Sequence, residues 1–179
     1  AMSAEAALGT DEEPTDLALR LDYQLAHILV DEFQDTSQGQ YRLLEKLCRG
    51  WSEHNHMNPR HPRTLFIVGD AMQSIYGFRY ADVGLFLKAR EKGIAGVLLN
   101  DRSLSRNFRS QAGVIDWVNR QFSSIVPKYG DRRLGIVPMT IAEATRSAGL
   151  EQAVEIHNFP DDRVRETNFV FSKICELLS

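Results

Sequence analysis

Residues 28–37, with the sequence ILVDEFQDTS, carry the strongest structural signal in the chain. Three apolar residues end abruptly in Asp31 and Glu32, which indicates a buried strand whose carboxyl end presents two acids. Such a pair can hold hydrated Mg²⁺ beside a phosphate chain, because one carboxylate anchors the ion and the next orients an attacking water. The two acids could instead cap a following helix, so the pair alone leaves both interpretations open.

The segments that follow predict alternating strands and helices. Apolar runs at residues 65–68 and 96–99 predict two further strands, and helical spacing predicts helices at residues 82–91 and 112–125. The polar stretch 52–63 breaks this periodicity, so we expect a loop there. Uninterrupted apolar strands that alternate with helices are typical of a parallel sheet covered on both faces, where chemistry gathers beyond the carboxyl ends of the strands. The predicted fold class is therefore α/β.

Two more stretches, residues 68–79 (VGDAMQSIYGFR) and 104–110 (LSRNFRS), follow residues 28–37 along the chain. Together the three stretches resemble motifs II, III and IV of superfamily 1A DNA helicases of the UvrD/PcrA/Rep and RecB/AddA type. The resemblance covers residues 27–127. It implies a partial RecA-like P-loop NTPase domain, with a parallel sheet flanked by helices, that belongs to an ATP-dependent DNA helicase.

The resemblance also implies a role for each residue of the ATPase site. Asp31 and Glu32 would hold Mg²⁺, and Glu32 would polarise the hydrolytic water. Gln73 would sense the γ-phosphate of ATP, a task that suits an amide because it can donate to a phosphate oxygen. Arg109 would neutralise charge on that phosphate, and Phe108 would pack against adenine. Without the resemblance, Gln73 would be assigned to a solvated loop.

Tyr76, Phe78 and Arg79 form the candidate DNA-binding set. In the family that the sequence resembles, the two aromatic positions stack on bases of single-stranded DNA and the arginine supports them. Every base has a π-face, so such contacts do not depend on sequence. Without the resemblance, both aromatic residues would be assigned to the core. Gly77 and Tyr80 depart from the commonest UvrD pattern, and the string Gly77-Phe78-Arg79 leans toward the RecB/AddA branch.

The 179 residues contain no phosphate-binding loop of the form GxxxxGK[ST]. We therefore expect the chain alone to be inactive, whereas a longer parent protein would use Mg²⁺ and ATP to translocate, in the 3′ to 5′ direction, on DNA in repair or recombination. Single-stranded and duplex DNA, the rest of the helicase chain and subunits of a helicase-nuclease are the expected partners. The alternative is a helicase-like scaffold without motor activity that binds DNA or another protein chain.

This interpretation divides the chain into four parts. Residues 1–14 are small and acidic and contain proline, so we expect a disordered lead-in. Residues 15–127 would be the distal part of the first motor domain (1A), and residues 128–150 a linker. Residues 151–179, with a strand predicted at 153–159, would begin the second RecA-like domain (2A).

Composition restricts the remaining possibilities. The net charge is -3 and the isoelectric point is near 6.0, so the chain is not coated for nonspecific binding to nucleic acid. Its longest apolar runs are too short to cross a membrane, and a reducing cytoplasm is the default expectation. Cys48 and Cys175 lack metal-ligand spacing, and we expect both to be buried thiols.

Overall fold

The computed structural model describes residues 2–10, 13–77, 82–129, 136–149 and 152–178. Within these residues the chain is mixed α/β, and its strands form two separate parallel pairs. The helices are α1 (Met2–Ala7), α2 (Asp16–Gln24), α3 (Gln38–Leu47), α4 (Trp51–Met57), α5 (Val83–Lys92), α6 (Ala112–Ile125) and α7 (Arg163–Leu178). The strands are β1 (His27–Val30), β2 (Thr64–Ile67), β3 (Arg106–Gln111) and β4 (Glu143–Arg146).

The chain divides into two compact units. The first comprises residues 1–104 and 122–140, and the second comprises residues 105–121 and 141–179. The predicted division into motor domain, linker and second domain concerns a larger architecture and stays a prediction.

In the first unit, β1 and β2 run parallel, with Val30 opposite Ile67. One face of this pair packs against the unit's core, in which the three largest fully buried side chains are aromatic. The buried core residues are Phe33, Tyr41, Leu44, Cys48, Trp51, Leu85, Ala89 and Ile94. On the other face the register partners Leu29 and Phe66 are 69% and 59% exposed. Among the described residues, helices therefore cover one face of this sheet, whereas the sequence predicted two covered faces.

Three helices of the first unit, α2, α3 and α5, begin where a side chain satisfies a free N–H group of the first turn. Ser37 and Gln40 form a reciprocal capping box at the start of α3. Asp82 caps α5 by accepting a hydrogen bond from the Gly84 N–H at 2.9 Å. Because α3 starts immediately after residues 28–37, the loop that carries the acid pair is short and fixed at both ends.

The second unit is built on the parallel pair β3 and β4. Asn119, on α6, donates from Nδ2 to the Ala142 carbonyl at 2.8 Å and accepts from the Ala142 N–H at 3.1 Å. The Thr145 hydroxyl donates to the carbonyl of Asn107 at 2.8 Å. Side-chain hydrogen bonds thus align two strands whose residues are mostly polar.

Several local predictions were wrong. Residues 96–99 form no strand, because Gly93 and Gly96 adopt positive φ and turn the chain back so that Ile94 pairs with Val97. The predicted loop at 52–63 contains α4. The Asn55 side chain, within α4, holds the segment before β2 by donating to the Arg63 carbonyl and accepting from the Arg63 N–H.

Secondary structure also forms in the predicted lead-in and in the predicted linker. Within residues 1–14, which were expected to be disordered, α1 forms and the side chain of Leu8 is buried. Lys46, on α3, donates a hydrogen bond to the Gly9 carbonyl at 2.7 Å and so connects this segment to the rest of the unit. The predicted linker contains β4, which its pairing with β3 orders. Residues 153–159 form no strand, and α7 follows them.

The two cysteines differ. Cys48 is fully buried, as predicted, and burial raises the pKa of its thiol from 9.0 to about 11. Cys175 lies on α7 and is exposed, so that prediction was wrong. No helix within the described parts of the chain is both long and apolar enough to cross a membrane.

Candidate functional site

The carboxyl ends of β1 and β2 bring the acid pair and residues 68–73 side by side. The hydrogen-bonded ladder continues beyond the strands, because the Val68 N–H donates to the Val30 carbonyl at 2.8 Å and the Phe33 N–H donates to the Val68 carbonyl at 3.0 Å. Phe33 is completely buried and anchors this turn in the core. Two stretches that are about forty residues apart in sequence therefore meet at one edge, as expected for a parallel sheet.

Asp31 and Glu32 are exposed at this edge. Glu32 has a φ of 51°, in the left-handed region that residues other than glycine seldom adopt. The Asp31 carboxylate supports this turn by accepting the Glu32 N–H at 2.9 Å. Such a conformation costs about 1 to 3 kcal/mol and persists where the surrounding structure fixes it, as at sites of chemistry. The backbone thus turns sharply between the two predicted metal-binding carboxylates.

Gln34 connects the acid pair to the loop after β2. Its side chain is buried, with 1% of its surface exposed, and its Nε2 donates to Glu32 Oε2 at 2.6 Å. Its Oε1 accepts the Asp70 N–H at 3.0 Å. Gln34 was not among the predicted site residues, since a glutamine just after a strand resembles any polar loop residue. Its burial was not visible in the local pattern.

Asp70 in turn holds Gln73. The Asp70 side chain accepts from the Met72 N–H and from Gln73 Nε2, each at 2.9 Å. Gln73 is exposed on the short 3₁₀ turn Ala71–Gln73 and keeps a second amide N–H for another acceptor. Hydrogen bonds therefore run from Glu32 through Gln34 and Asp70 to Gln73. Asp70, like Gln34, was missed in the sequence.

Gly69 is required by this arrangement. A Cβ atom at this position would lie 2.7 Å from Gln34 Oε1, 3.1 Å from Phe86 Cε2 and 3.3 Å from the Phe33 nitrogen. Any side chain would therefore push Gln34 out of place. The glycine is what lets the loop after β2 approach the acid pair closely.

The donor set suits Mg²⁺ that is bound together with a phosphate. Among the described residues, no group of three or more histidine, cysteine or acidic side chains could hold a metal by itself. Mg²⁺ at nucleotide sites takes one or two carboxylates and completes its shell with phosphate oxygens and water, which two adjacent exposed acids provide. A cavity of about 320 Å³ adjoins the pair, lined by acidic, neutral polar and apolar side chains that include Asp31, Glu32, Gln40 and Leu43. The residues present thus fit a metal that arrives with its substrate.

The predicted DNA-binding residues are described only in part. Tyr76 is partly exposed in the segment that follows Gln73. Phe78 and Arg79 lie outside the described residues, as does Tyr80. Their proposed contacts with DNA stay predictions.

Phe108 and Arg109 lie on β3 of the second unit. Phe108 is 72% exposed, and Arg109 is also exposed. The side chain of Asn107 accepts the N–H groups of Arg109 at 3.0 Å and Ser110 at 2.9 Å, while the Arg109 carbonyl accepts from Arg146 at 2.8 Å. The backbone of Arg109 is therefore held on both sides. Strand β3 runs to Gln111, directly before α6.

Comparison with known proteins identifies a family for the first half of the chain. Residues 5–93 match the family described as the UvrD/REP helicase N-terminal domain. An ATP-dependent helicase/nuclease subunit from Desulfitobacterium hafniense is 40% identical over 127 residues, covering 66% of this chain and 8% of the relative.

Two further relatives are similar over comparable regions. The ATP-dependent helicase/nuclease subunit of Clostridium novyi is 30% identical over 189 aligned positions, covering 92% of this chain and 15% of the relative. The exonuclease/helicase subunit RexA of Lactococcus lactis is 39% identical over 125 residues, covering 69% of this chain and 9% of the relative. The chain thus spans about a tenth of the length of these curated relatives.

Proposed function

Because residues 5–93 belong to the UvrD/REP helicase N-terminal domain family, we propose that this chain supplies the hydrolytic part of a DNA helicase motor. In this proposal it is the distal part of a RecA-like domain within a longer helicase-nuclease protein. That parent would translocate 3′ to 5′ along single-stranded DNA at the expense of ATP, in repair or recombination. The names of the relatives, which describe helicase/nuclease subunits, support a parent of the helicase-nuclease type.

The observation that carries the proposal is the hydrogen-bonded path from Glu32 to Gln73. It joins the predicted catalytic acid to the predicted γ-phosphate sensor through Gln34 and Asp70. A pair of acids that only capped a helix would not need a buried amide to hold one of them. The path therefore favours a catalytic role for Glu32 over a purely structural one.

In the proposed mechanism, Glu32 accepts a proton from the attacking water as the water oxygen bonds to the γ-phosphorus of ATP. The bond from the γ-phosphorus to the β,γ-bridging oxygen breaks in the same displacement, and ADP and phosphate are the products. Gln34 fixes the carboxylate of Glu32, so that its orientation does not depend on solvent. Mg²⁺, when bound beside Asp31 with ATP, would neutralise charge on the phosphate oxygens. Gln73 would donate an amide N–H to the γ-phosphate.

In this proposal, the remaining predicted residues keep the roles that the resemblance implies. Arg109 would stabilise charge on the transferred phosphoryl group, and Phe108 would pack against the adenine ring. Tyr76, Phe78 and Arg79 would bind single-stranded DNA, with the aromatic rings stacking on bases. The phosphate-binding loop would come from the rest of the parent chain.

The direct test is Glu32→Gln in the parent protein. This change keeps the size of the side chain but removes its basicity, so we expect ATP hydrolysis stimulated by single-stranded DNA to fall by about 100-fold or more. Binding of Mg²⁺ and ATP should persist, because Asp31 remains. Steady-state hydrolysis and nucleotide binding by fluorescence would measure the two effects separately.

Glu45→Gln is the matched control. Glu45 lies on α3 and pairs with Lys88 at 3.5 Å, so the same chemical change there should leave hydrolysis unaltered. Hydrolysis that survives Glu32→Gln would overturn the catalytic assignment. A parent protein that binds DNA but never hydrolyses ATP would instead support a scaffold.

A further inference from the structure

The Gln34 side chain has no freedom in the folded unit. The Asp70 N–H can only donate, so it is Gln34 Oε1 that faces it at 3.0 Å, and Nε2 must face the carboxylate of Glu32, which can only accept. The carbonyl of Gln34 also accepts from the Ser74 hydroxyl at 3.4 Å. One buried residue, Gln34, thus makes hydrogen bonds to Glu32, Asp70 and Ser74.

We infer that Gln34 is a positioning residue that transmits the position of residues 70–74 to the carboxylate of Glu32. The inference rests on the proposed function and adds to it the route by which DNA binding would control hydrolysis. Gln34 does not touch substrate. It acts through Glu32, because a shift of the Asp70 N–H displaces one end of a rigid amide whose other end holds Glu32 at 2.6 Å.

The packing around Gln34 makes this link stiff. Gly69 Cα lies so near to Gln34 that a Cβ there would meet Oε1 at 2.7 Å, and Phe33 beside it is fully buried. The hydrogen bond to Glu32 joins an amide to a charged acceptor, which makes it stronger than a bond between neutral groups. A displacement of residues 70–74 therefore reaches Glu32 and is not absorbed by rotation of the Gln34 side chain.

The test is Gln34→Met and Gln34→Glu in the parent protein. Methionine has a similar volume but neither donates nor accepts as the amide does, and glutamate keeps only the acceptor for the Asp70 N–H. For both variants we expect the DNA-stimulated kcat of ATP hydrolysis to fall about 10- to 100-fold. The KM for ATP should stay within about twofold, because neither end of the amide binds nucleotide.

Hydrogen exchange gives a second measurement that does not depend on activity. The Asp70 N–H should lose protection in Gln34→Met and keep it in Gln34→Glu, since only the glutamate retains an acceptor there. If Gln34→Met does not fold, the Gln34→Glu variant still decides whether the donor to Glu32 matters for kcat.

Asn55→Leu controls for a general loss of stability. Asn55 also uses both ends of its amide, bonding to Arg63 just before the amino end of β2, which is the end of the strand away from the acid pair. This variant should lower the melting temperature while kcat and the degree of DNA stimulation stay unchanged.

The outcomes separate this inference from the proposed function. If the wild-type parent shows no DNA-stimulated hydrolysis, the proposed function fails, and the inference fails with it. If the wild type hydrolyses ATP and either Gln34 variant does so equally well, only the inference is overturned. Equal losses of kcat in Asn55→Leu and Gln34→Met would also overturn it, because they would point to stability alone.

Discussion

Glu32 and Gln34 differ in how far the sequence could reveal them. Glu32 follows an apolar run and sits in a recognisable string, so its position in the chain suggested its chemistry. Gln34 lies in the same stretch of sequence, but its importance comes from a hydrogen bond to Asp70, which is 36 residues away. Local patterns contain information about periodicity and charge, whereas the partner of a buried polar group depends on tertiary structure.

At the same scale, Gly69→Ala should destabilise the first unit. The added Cβ would lie 2.7 Å from Gln34 Oε1 and 3.3 Å from the Phe33 nitrogen, and neither neighbour is at the end of a mobile exposed side chain. We expect the free energy of unfolding to fall by about 1 to 3 kcal/mol, as for other overpacked sites. Chemical denaturation of the chain would measure this change.

Gly77→Ala is the matched control for that experiment. No described atom lies within 4 Å of where its Cβ would be, and we expect a change in stability well below that of Gly69→Ala. Equal stability of the Gly69→Ala variant and the wild type would mean that Gln34 is not held as the structure indicates.

At the scale of secondary structure, prediction succeeded where strands are apolar and failed where they are polar. β1 and β2 are continuous apolar runs next to the acid pair, and both were predicted within one residue. β3 and β4, with the sequences RNFRSQ and EATR, have no such run. Their pairing depends on hydrogen bonds between distant parts of the chain, which no window of sequence displays.

The link between α6 and β4 gives a second stability prediction. In Asn119→Leu, both hydrogen bonds to Ala142 are lost, and the Ala142 N–H and carbonyl must find water or remain unpaired. We expect a loss of about 1 to 3 kcal/mol, together with faster hydrogen exchange along β4. Exchange measured by mass spectrometry on peptides that span Glu143–Arg146 would detect it.

Asn168→Leu provides the comparison for Asn119→Leu. Asn168 is exposed on α7, so the same substitution there should leave β4 protected. If the amides of β4 exchange at the same rate in the two variants, the side chain of Asn119 does not hold the strand.

At the scale of the whole molecule, the proposed function makes the acid pair only one part of a nucleotide site. The 179 residues lack the loop whose backbone N–H groups and lysine would hold the β- and γ-phosphates of ATP. We therefore expect the chain alone to bind Mg²⁺ and ATP negligibly in calorimetry. A micromolar dissociation constant would contradict this expectation, because two exposed carboxylates cannot by themselves retain a polyanion.

The cysteines report on the integrity of the first unit. A thiol reacts as its thiolate, so burial and a pKa of about 11 should make Cys48 slow to react, while the exposed Cys175 reacts quickly. At neutral pH, one thiol of the folded chain should therefore react quickly with a colorimetric disulfide reagent and release one equivalent of the coloured product. In the denatured chain both thiols should react and release two equivalents. Cys175→Ser should abolish the fast equivalent.

The raised pKa of Cys48 also makes stability depend on pH. Since the folded pKa, about 11, exceeds the ordinary value of 9.0, the two states bind the same number of protons below pH 9.0. Above it the unfolded thiol ionises first, so the free energy of unfolding should fall as pH rises toward about 11. Denaturant titrations across this range should show a smaller fall in Cys48→Ala than in the wild type. Equal slopes in the two proteins, or two fast equivalents in the folded chain, would mean that Cys48 is open to solvent and that the core beneath the acid pair is not closed.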